Sequence, residues 1–281
     1  VVEPTEIVYS SKIARENALK MLAEGIEAAV YNIPVFAFPN FSLIAARVME
    51  KPVLLSSPKN GKLPGLGGIM AAHGAMKQIG LNSSKIWGNP LEEPLLFERL
   101  SAFCRASGVI QRMKGSVYGL FGGRSIGMNT GAASTQQWMK QFGVDSEHID
   151  QLEIIRRAEC ADHTEVEKAY KWLCENSGKV CTTGKAKPEY VKGQIRHYLA
   201  IKSIIQDFGI DFAGIKCHYD LSEFFLTACL SIVFLNDPYD WNGTKESVVC
   251  STEADAYAAI TMQLMKYITG GLPTLFMDVR L

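Results

Sequence analysis

The sequence predicts an α/β protein of two doubly wound domains with mostly parallel sheets. Three observations predict it. Short β-branched runs alternate with helical-period segments along most of the chain, the pattern of βαβ units. The stretch Asn89-Pro90-Leu91-Glu92-Glu93-Pro94 breaks that alternation with proline and charge, as a domain boundary does. A length of 281 residues with 47% hydrophobic content suits one large or two smaller cores. The reading is therefore a Rossmann-like domain over 1–108, linking helix included, and a second over 109–281.

In the first domain, Ser10 to Leu22 reads as a helix closed by Gly25, and Ala28 to Asn32 as a buried strand. Pro39 opens a helix through Phe41, Ile44, Ala45 and Val48. Pro52 to Ser56 is the next strand, and the polar loop Ser57 to Gly65 follows it. Apolar positions from Gly68 to Gly80 keep helical spacing. No strand precedes the first helix, so the domain reads as lacking its first strand. Leu95 to Gly108 is the helix that links the halves.

The second domain opens with a strand at Ser116 to Phe121. Ile149 to Ile155 reads as another strand, Thr164 to Asn176 and Pro188 to Phe208 as amphipathic helices. Phe212 to Cys217 is a strand, Glu223 to Phe234 a hydrophobic helix and Asn236 to Gly243 a turn-rich loop. Ser247 to Cys250 is a buried strand. Thr252 can then cap a helix with Asp255 as its capping-box acid, and Gly270-Gly271 end it near Ile268. Pro273 to Met277 reads as a strand ending at Asp278.

That last strand–helix–strand unit carries the chemical argument. Its strands should be parallel with a right-handed crossover, so both carboxyl ends lie on one sheet edge. Glu253 leaves the first and Asp278 the second, at the edge where open α/β sheets bind ligands. Two carboxylates there can hold a hard divalent cation or share acid and base work. Glu253 could instead simply favour the helix N-terminus, and Asp278 could pair with Arg280.

Other candidates surround this pair. Gly122-Gly123-Arg124-Ser125-Ile126-Gly127-Met128 follows a strand, and its amides could approach a polar ligand closely. Its spacing matches neither a dinucleotide fingerprint nor a P-loop, which argues against a nucleotide-binding domain. Arg124 could anchor a hydroxyl-rich or anionic ligand, or fix a carboxylate such as Asp145. Lys216 ends a strand on the presumed ligand edge and could equally be solvated. His73 reads as a satisfied core residue, while His148, His163 and His197 read as solvated. His218 could reach the site.

Composition excludes several classes. Lys+Arg and Asp+Glu balance at 29 each, so nothing argues for nucleic acid or an anionic membrane surface. No run is long and apolar enough to span a membrane. The seven cysteines are scattered and read as reduced, buried thiols, which points to a cytoplasmic protein.

Thr252-Glu253-Ala254-Asp255 and Phe276-Met277-Asp278-Val279-Arg280, in that order, resemble the metal-ligand segments of the L-fucose isomerase family. Gly119–Met128, Trp138–Arg157, Leu235–Gly243 and Pro52–Gly68 are similar as well. The resemblance implies an aldose–ketose isomerase that acts on open-chain sugars with Mn²⁺, or with Mg²⁺ or another divalent cation. It implies that Glu253 and Asp278 are metal ligands and serve in an ene-diol mechanism. It places Lys216 where relatives have a glutamine near the substrate, and Ile126 where some have a methionine. It further implies a homo-oligomer, a hexamer in the family, and a C-terminal domain whose histidine is the third ligand. That histidine is expected beyond Leu281, and a substrate-contacting arginine is expected before Val1, so this chain alone should bind metal poorly and be inactive. The sequence reading is thus an isomerase of the L-fucose or D-arabinose type. The alternative is a non-catalytic sugar-binding or sensor protein on the same scaffold.

Overall fold

The computed structural model describes residues 1–4, 6–183 and 187–277. The fold is α/β with parallel sheets, in two compact units, Val1–Gln111 and Arg112–Leu281. The first unit runs α1 (Ser11–Ala23), β1 (Ala29–Asn32), α2 (Pro39–Met49), β2 (Val53–Ser57), α3 (Gly65–Gln78) and β3 (Ser83–Trp87), followed by α4 (Pro94–Met113). Its three strands pair in the order β1-β2-β3, all parallel. Central β2 is buried on both faces, as a strand between two helical layers must be. Val53 and Leu55 meet Ile69, Ala72 and Met76 of α3 on one side, while Leu54 meets Leu96 of α4 on the other. Strand β3 escapes the sequence reading because its edge position leaves Ser83, Ser84 and Lys85 partly exposed and polar.

The second unit runs β4 (Val117–Phe121), a 3₁₀ turn at Asn129–Gly131, α5 (Thr135–Phe142), β5 (Asp145–Ile149), α6 (Gln151–Glu159), α7 (His163–Asn176), α8 (Pro188–Phe208) and β6 (Phe212–Ile215). It continues with α9 (Asp220–Phe224), α10 (Cys229–Asn236), the small hairpin β7 (Tyr239–Asp240) and β8 (Gly243–Thr244), β9 (Val249–Thr252) and α11 (Ala256–Ile268). The large sheet has the order β5-β4-β6-β9 and every pair is parallel. After β4 the chain moves outward to β5, then crosses back to β6 on the other side. The switch point therefore lies between the carboxyl ends of β4 and β6.

The sheet's two faces hold different cores. Phe121, Ala213, Ile215 and Cys250 pack against Ile154 of α6 and Ile195, Ile201 and Ile204 of α8. On the opposite face Tyr118, Trp138 and Phe212 stack within 5.3–6.3 Å of one another, and Tyr257 of α11 meets Trp138 edge-on. Such aromatic pairs add ~0.5–1.5 kcal/mol each beyond area burial.

Four expectations are corrected. Ile149–Ile155 is not one strand: Asp150 caps α6 by accepting from Leu152 N at 2.8 Å. Glu153 then pairs with Arg156 and Arg157, one helical turn on, which fixes the helix. Pro273–Met277 forms no strand among the described residues, and Leu272, Leu275 and Met277 stay 63–78% exposed. No described element covers that stretch, so pairing it to β9 would leave its outer face bare to water. Of the cysteines, only Cys217 and Cys250 are buried. His197, read as solvated, is buried in α8 with Nδ1 unpartnered among the described residues. His73 is half-buried and lies 2.8 Å from Ser83 Oγ, a satisfied residue.

Burial pushes the His197 imidazole down to about 4. Between that value and the ordinary 6.5, the unfolded chain holds a proton that the folded chain does not. Stability should therefore fall as pH drops through this window, by up to ~3 kcal/mol from this one group. His197→Gln should flatten that part of the curve; unfolding midpoints of both proteins across the window check it.

Candidate active site

Three loops leave the carboxyl edge at β4, β6 and β9, and their backbones place the site. The first is Gly122–Met128. Met128 N donates to Ser125 O at 2.9 Å, closing a turn whose central residues Ile126 and Gly127 both have positive φ, +38° and +75°. The third is Thr252–Asp255. Asp255 N donates to Thr252 O at 3.1 Å, and its central residues Glu253 and Ala254 both have φ of +53°. Both have the φ signature of type I′ turns, which glycine and asparagine usually occupy. Ile126, Glu253 and Ala254 each carry a Cβ there, at a cost of ~1–2 kcal/mol per residue. Strain of this kind persists where surrounding contacts over-determine it, and it clusters at functional sites.

The contacts that hold Glu253 are plain. Its Oε2 accepts from Ser125 Oγ at 2.5 Å, His218 N at 3.0 Å and Cys217 N at 3.2 Å. The consecutive amides of Cys217 and His218 belong to the loop after β6, so one carboxylate oxygen ties all three loops together. Ser125 is fully buried, and its hydroxyl also lies 3.1 Å from the His218 carbonyl. Ala254 N donates to Ile215 O at 3.0 Å, which pins the turn to the end of β6. Gly214 makes that approach possible: a Cβ there would meet Tyr118 Oη at 2.3 Å and Ala254 Cα at 3.0 Å.

Glu253 Oε1 makes no hydrogen bond among the described residues. It faces His218 Nε2 at 3.9 Å, and the Glu253 side chain is 14% exposed, so the free oxygen is reachable. A carboxylate oxygen and an imidazole nitrogen are donors that Mn²⁺ and similar divalent cations accept, so the donor chemistry fits such an ion. No third histidine, cysteine, aspartate or glutamate among the described residues joins them.

The remaining expected residues fall as follows. Asp278 lies outside the described residues. Ile126 sits beside Ser125 in the strained turn and is exposed. Arg124 is exposed and forms no ion pair among the described residues, with Asp145 or otherwise. Lys216 pairs its ammonium with Asp220, while its carbonyl accepts from Gln151 Nε2. Gln151 in turn packs where Gly122 leaves no room for a side chain. Thr252 does not cap α11. Asp255 does, accepting from Ala258 N at 2.9 Å, which frees residues 252–254 to form the turn. Ser125, Cys217 and Gln151 were not read from sequence as site residues; only the glycines around Ser125 mark its loop.

A thiol pair adjoins the carboxylate. Buried Cys217 and the exposed Cys229, first residue of α10, shift one another: Cys217 holds the Cys229 pKa below the usual thiol range, while Cys229 and burial raise that of Cys217.

The first N-terminal domain of L-fucose isomerase matches residues 1–115, and the second N-terminal domain matches residues 207–270, where the β6 and β9 loops lie. The chain belongs to the L-fucose isomerase family. L-fucose isomerase of Phocaeicola vulgatus is 25% identical over 254 residues, 76% of this chain and 42% of the relative. The L-fucose isomerases of Clostridium perfringens and of Streptococcus pneumoniae strain Hungary19A-6 are 25% and 23% identical over 77% and 76% of the chain, and 43% and 41% of their own lengths. The chain thus spans about two fifths of the curated relatives it matches. Among the described residues, no helix is long and apolar enough to cross a membrane.

Two outcomes follow from this geometry. Ala254→Gly should leave the unfolding midpoint within ~1 kcal/mol of the parent, because lost methyl burial is offset by relief of the left-handed backbone. Ala254→Val should cost more than ~2 kcal/mol, since this fully buried site has no space for a branched chain; chemical denaturation compares them. Iodoacetamide at neutral pH should label Cys229 before Cys104, Cys160, Cys174 and Cys181, with peptide mass spectrometry as the readout.

Proposed function

We propose that this protein is an aldose–ketose isomerase for open-chain deoxyhexose or pentose sugars of the L-fucose and D-arabinose type. The observation that carries the reading is the Glu253 carboxylate. One oxygen is held by three donors from two neighbouring loops and the other makes no hydrogen bond among the described residues, at the sheet's carboxyl edge, in a chain of this family.

Moving a hydrogen between C1 and C2 of a sugar requires a group that removes a proton from one carbon and a group that returns it to the other. Glu253 and, by the family resemblance, Asp278 take these roles. With Oε2 fixed, the carboxylate cannot swing away, and Oε1 is the atom left to meet a sugar or an ion. A divalent cation such as Mn²⁺ at this carboxylate would hold the sugar's carbonyl and neighbouring hydroxyl oxygens and neutralise charge developing on them. The ene-diol stage then calls for short proton movements to and from these two carboxylates. Arg124, exposed and unpaired among the described residues, stands in the same loop as Ser125 and is suited to a sugar hydroxyl. Ile126 gives that loop an apolar tip. Lys216, drawn toward Asp220, serves the loop's shape and meets substrate only if that ion pair opens. By the family resemblance, an oligomer and a C-terminal domain with a histidine ligand would complete the site.

The complete protein should convert L-fucose or D-arabinose to the ketose in the presence of Mn²⁺ and lose that activity with chelator. Glu253→Gln should lower turnover by about 10²–10⁴-fold, the usual worth of a positioned acid or base. Sugar binding without turnover in the parent protein would replace the isomerase reading with that of a sugar-binding protein.

A further inference from the structure

Resting on the isomerase reading, we propose that His218 is a protein donor to the same cation as Glu253, supplied by this chain through Nε2. The ring is oriented for it. Ser222 Oγ lies 3.4 Å from the Tyr219 carbonyl, to which its hydroxyl donates, and 3.0 Å from His218 Nδ1. The Ser222 oxygen is then left to accept from Nδ1–H. In the neutral ring this puts the hydrogen on Nδ1 and the lone pair on Nε2, the arrangement that partner groups impose on metal-binding histidines. Nε2 points toward Glu253 Oε1 at 3.9 Å, with the His218 side chain 41% exposed.

That separation is too long for a hydrogen bond, yet it suits two donors on one ion. Metal–ligand bonds of roughly 2.0–2.3 Å, opened to a right angle or wider, set donor atoms about 3–4 Å apart. The backbone fixes the same relation. His218 N donates to Glu253 Oε2, so the residue that carries the imidazole also positions the carboxylate facing it. The backbone of His218 and the carboxylate are therefore held together, and the ring is steadied by its contact with Ser222. A nitrogen donor would tilt preference from Mg²⁺, which favours oxygen ligands, toward Mn²⁺, Co²⁺ or Zn²⁺.

Pulsed electron paramagnetic resonance on residues 1–281 with millimolar Mn²⁺ tests this without relying on turnover, and without the imidazole that the family resemblance places beyond Leu281. The expected result is ¹⁴N coupling from an imidazole at the bound ion. His218→Gln should abolish that coupling and weaken Mn²⁺ binding about tenfold or more, while far-UV circular dichroism stays unchanged. Glu253→Gln should abolish binding. If Mn²⁺ binds in a Glu253-dependent way but shows no ¹⁴N coupling, or coupling that persists in His218→Gln, the His218 assignment is overturned and the isomerase reading stands. If millimolar Mn²⁺ fails to bind, or binds equally well to Glu253→Gln, the cation role proposed for Glu253 fails, and the His218 assignment fails with it.

Discussion

One carboxylate oxygen holds the edge of the second unit together. Glu253 Oε2 receives the Ser125 hydroxyl and the two successive amides after β6. Those donors come from two loops that the Ser125 hydroxyl also joins at the His218 carbonyl. Removing the carboxylate would leave two amides short of a partner, each at a cost of ~1–3 kcal/mol, while the Ser125 hydroxyl would keep the His218 carbonyl as acceptor. The same group thus organises the loops and presents a free oxygen to the crevice. Structure and chemistry are coupled through a single side chain, and substitutions at Glu253 will disturb both.

The two tight turns show how the backbone is bent to serve that contact. Each carries residues with a Cβ in left-handed geometry, Ile126 in one and Glu253 with Ala254 in the other. Gly214 supplies the matching relief inside the sheet, where any side chain would strike the Tyr118 hydroxyl and the backbone of Ala254. Strain at the rim is balanced by close packing beneath it. The buried aromatic group of Tyr118, Trp138 and Phe212 forms the firm base on which the rim rests.

The alternation of buried strands and amphipathic helices was legible, because β2, β6 and β9 are central or well covered and read as apolar runs. The edge strands were harder. In β3 and β5, exposure permits Ser83-Ser84-Lys85 and Asp145-Ser146-Glu147-His148, which carry no apolar period. Glu253 was legible as a strand-end acid, but its turn was not, since nothing in Thr-Glu-Ala-Asp announces two left-handed residues. That conformation is imposed by Ile215 O and by the donors to Oε2, all distant in sequence. His197 failed for a related reason: its neighbours in α8 are mixed, and only tertiary packing shows which side faces inward. Ser125 was hidden because a serine in a glycine loop signals a bend well before it signals a carboxylate partner.

The Ser125–Glu253 contact spans 128 residues, and the amides from Cys217 and His218 reach Glu253 across 36 and 35. Contacts so remote along the chain carry a loop-closure cost, which parallel pairing of β4, β6 and β9 offsets by bringing their loops to one edge. The rim is thus assembled by tertiary contact alone, and fraying of one of its loops withdraws support from the other two.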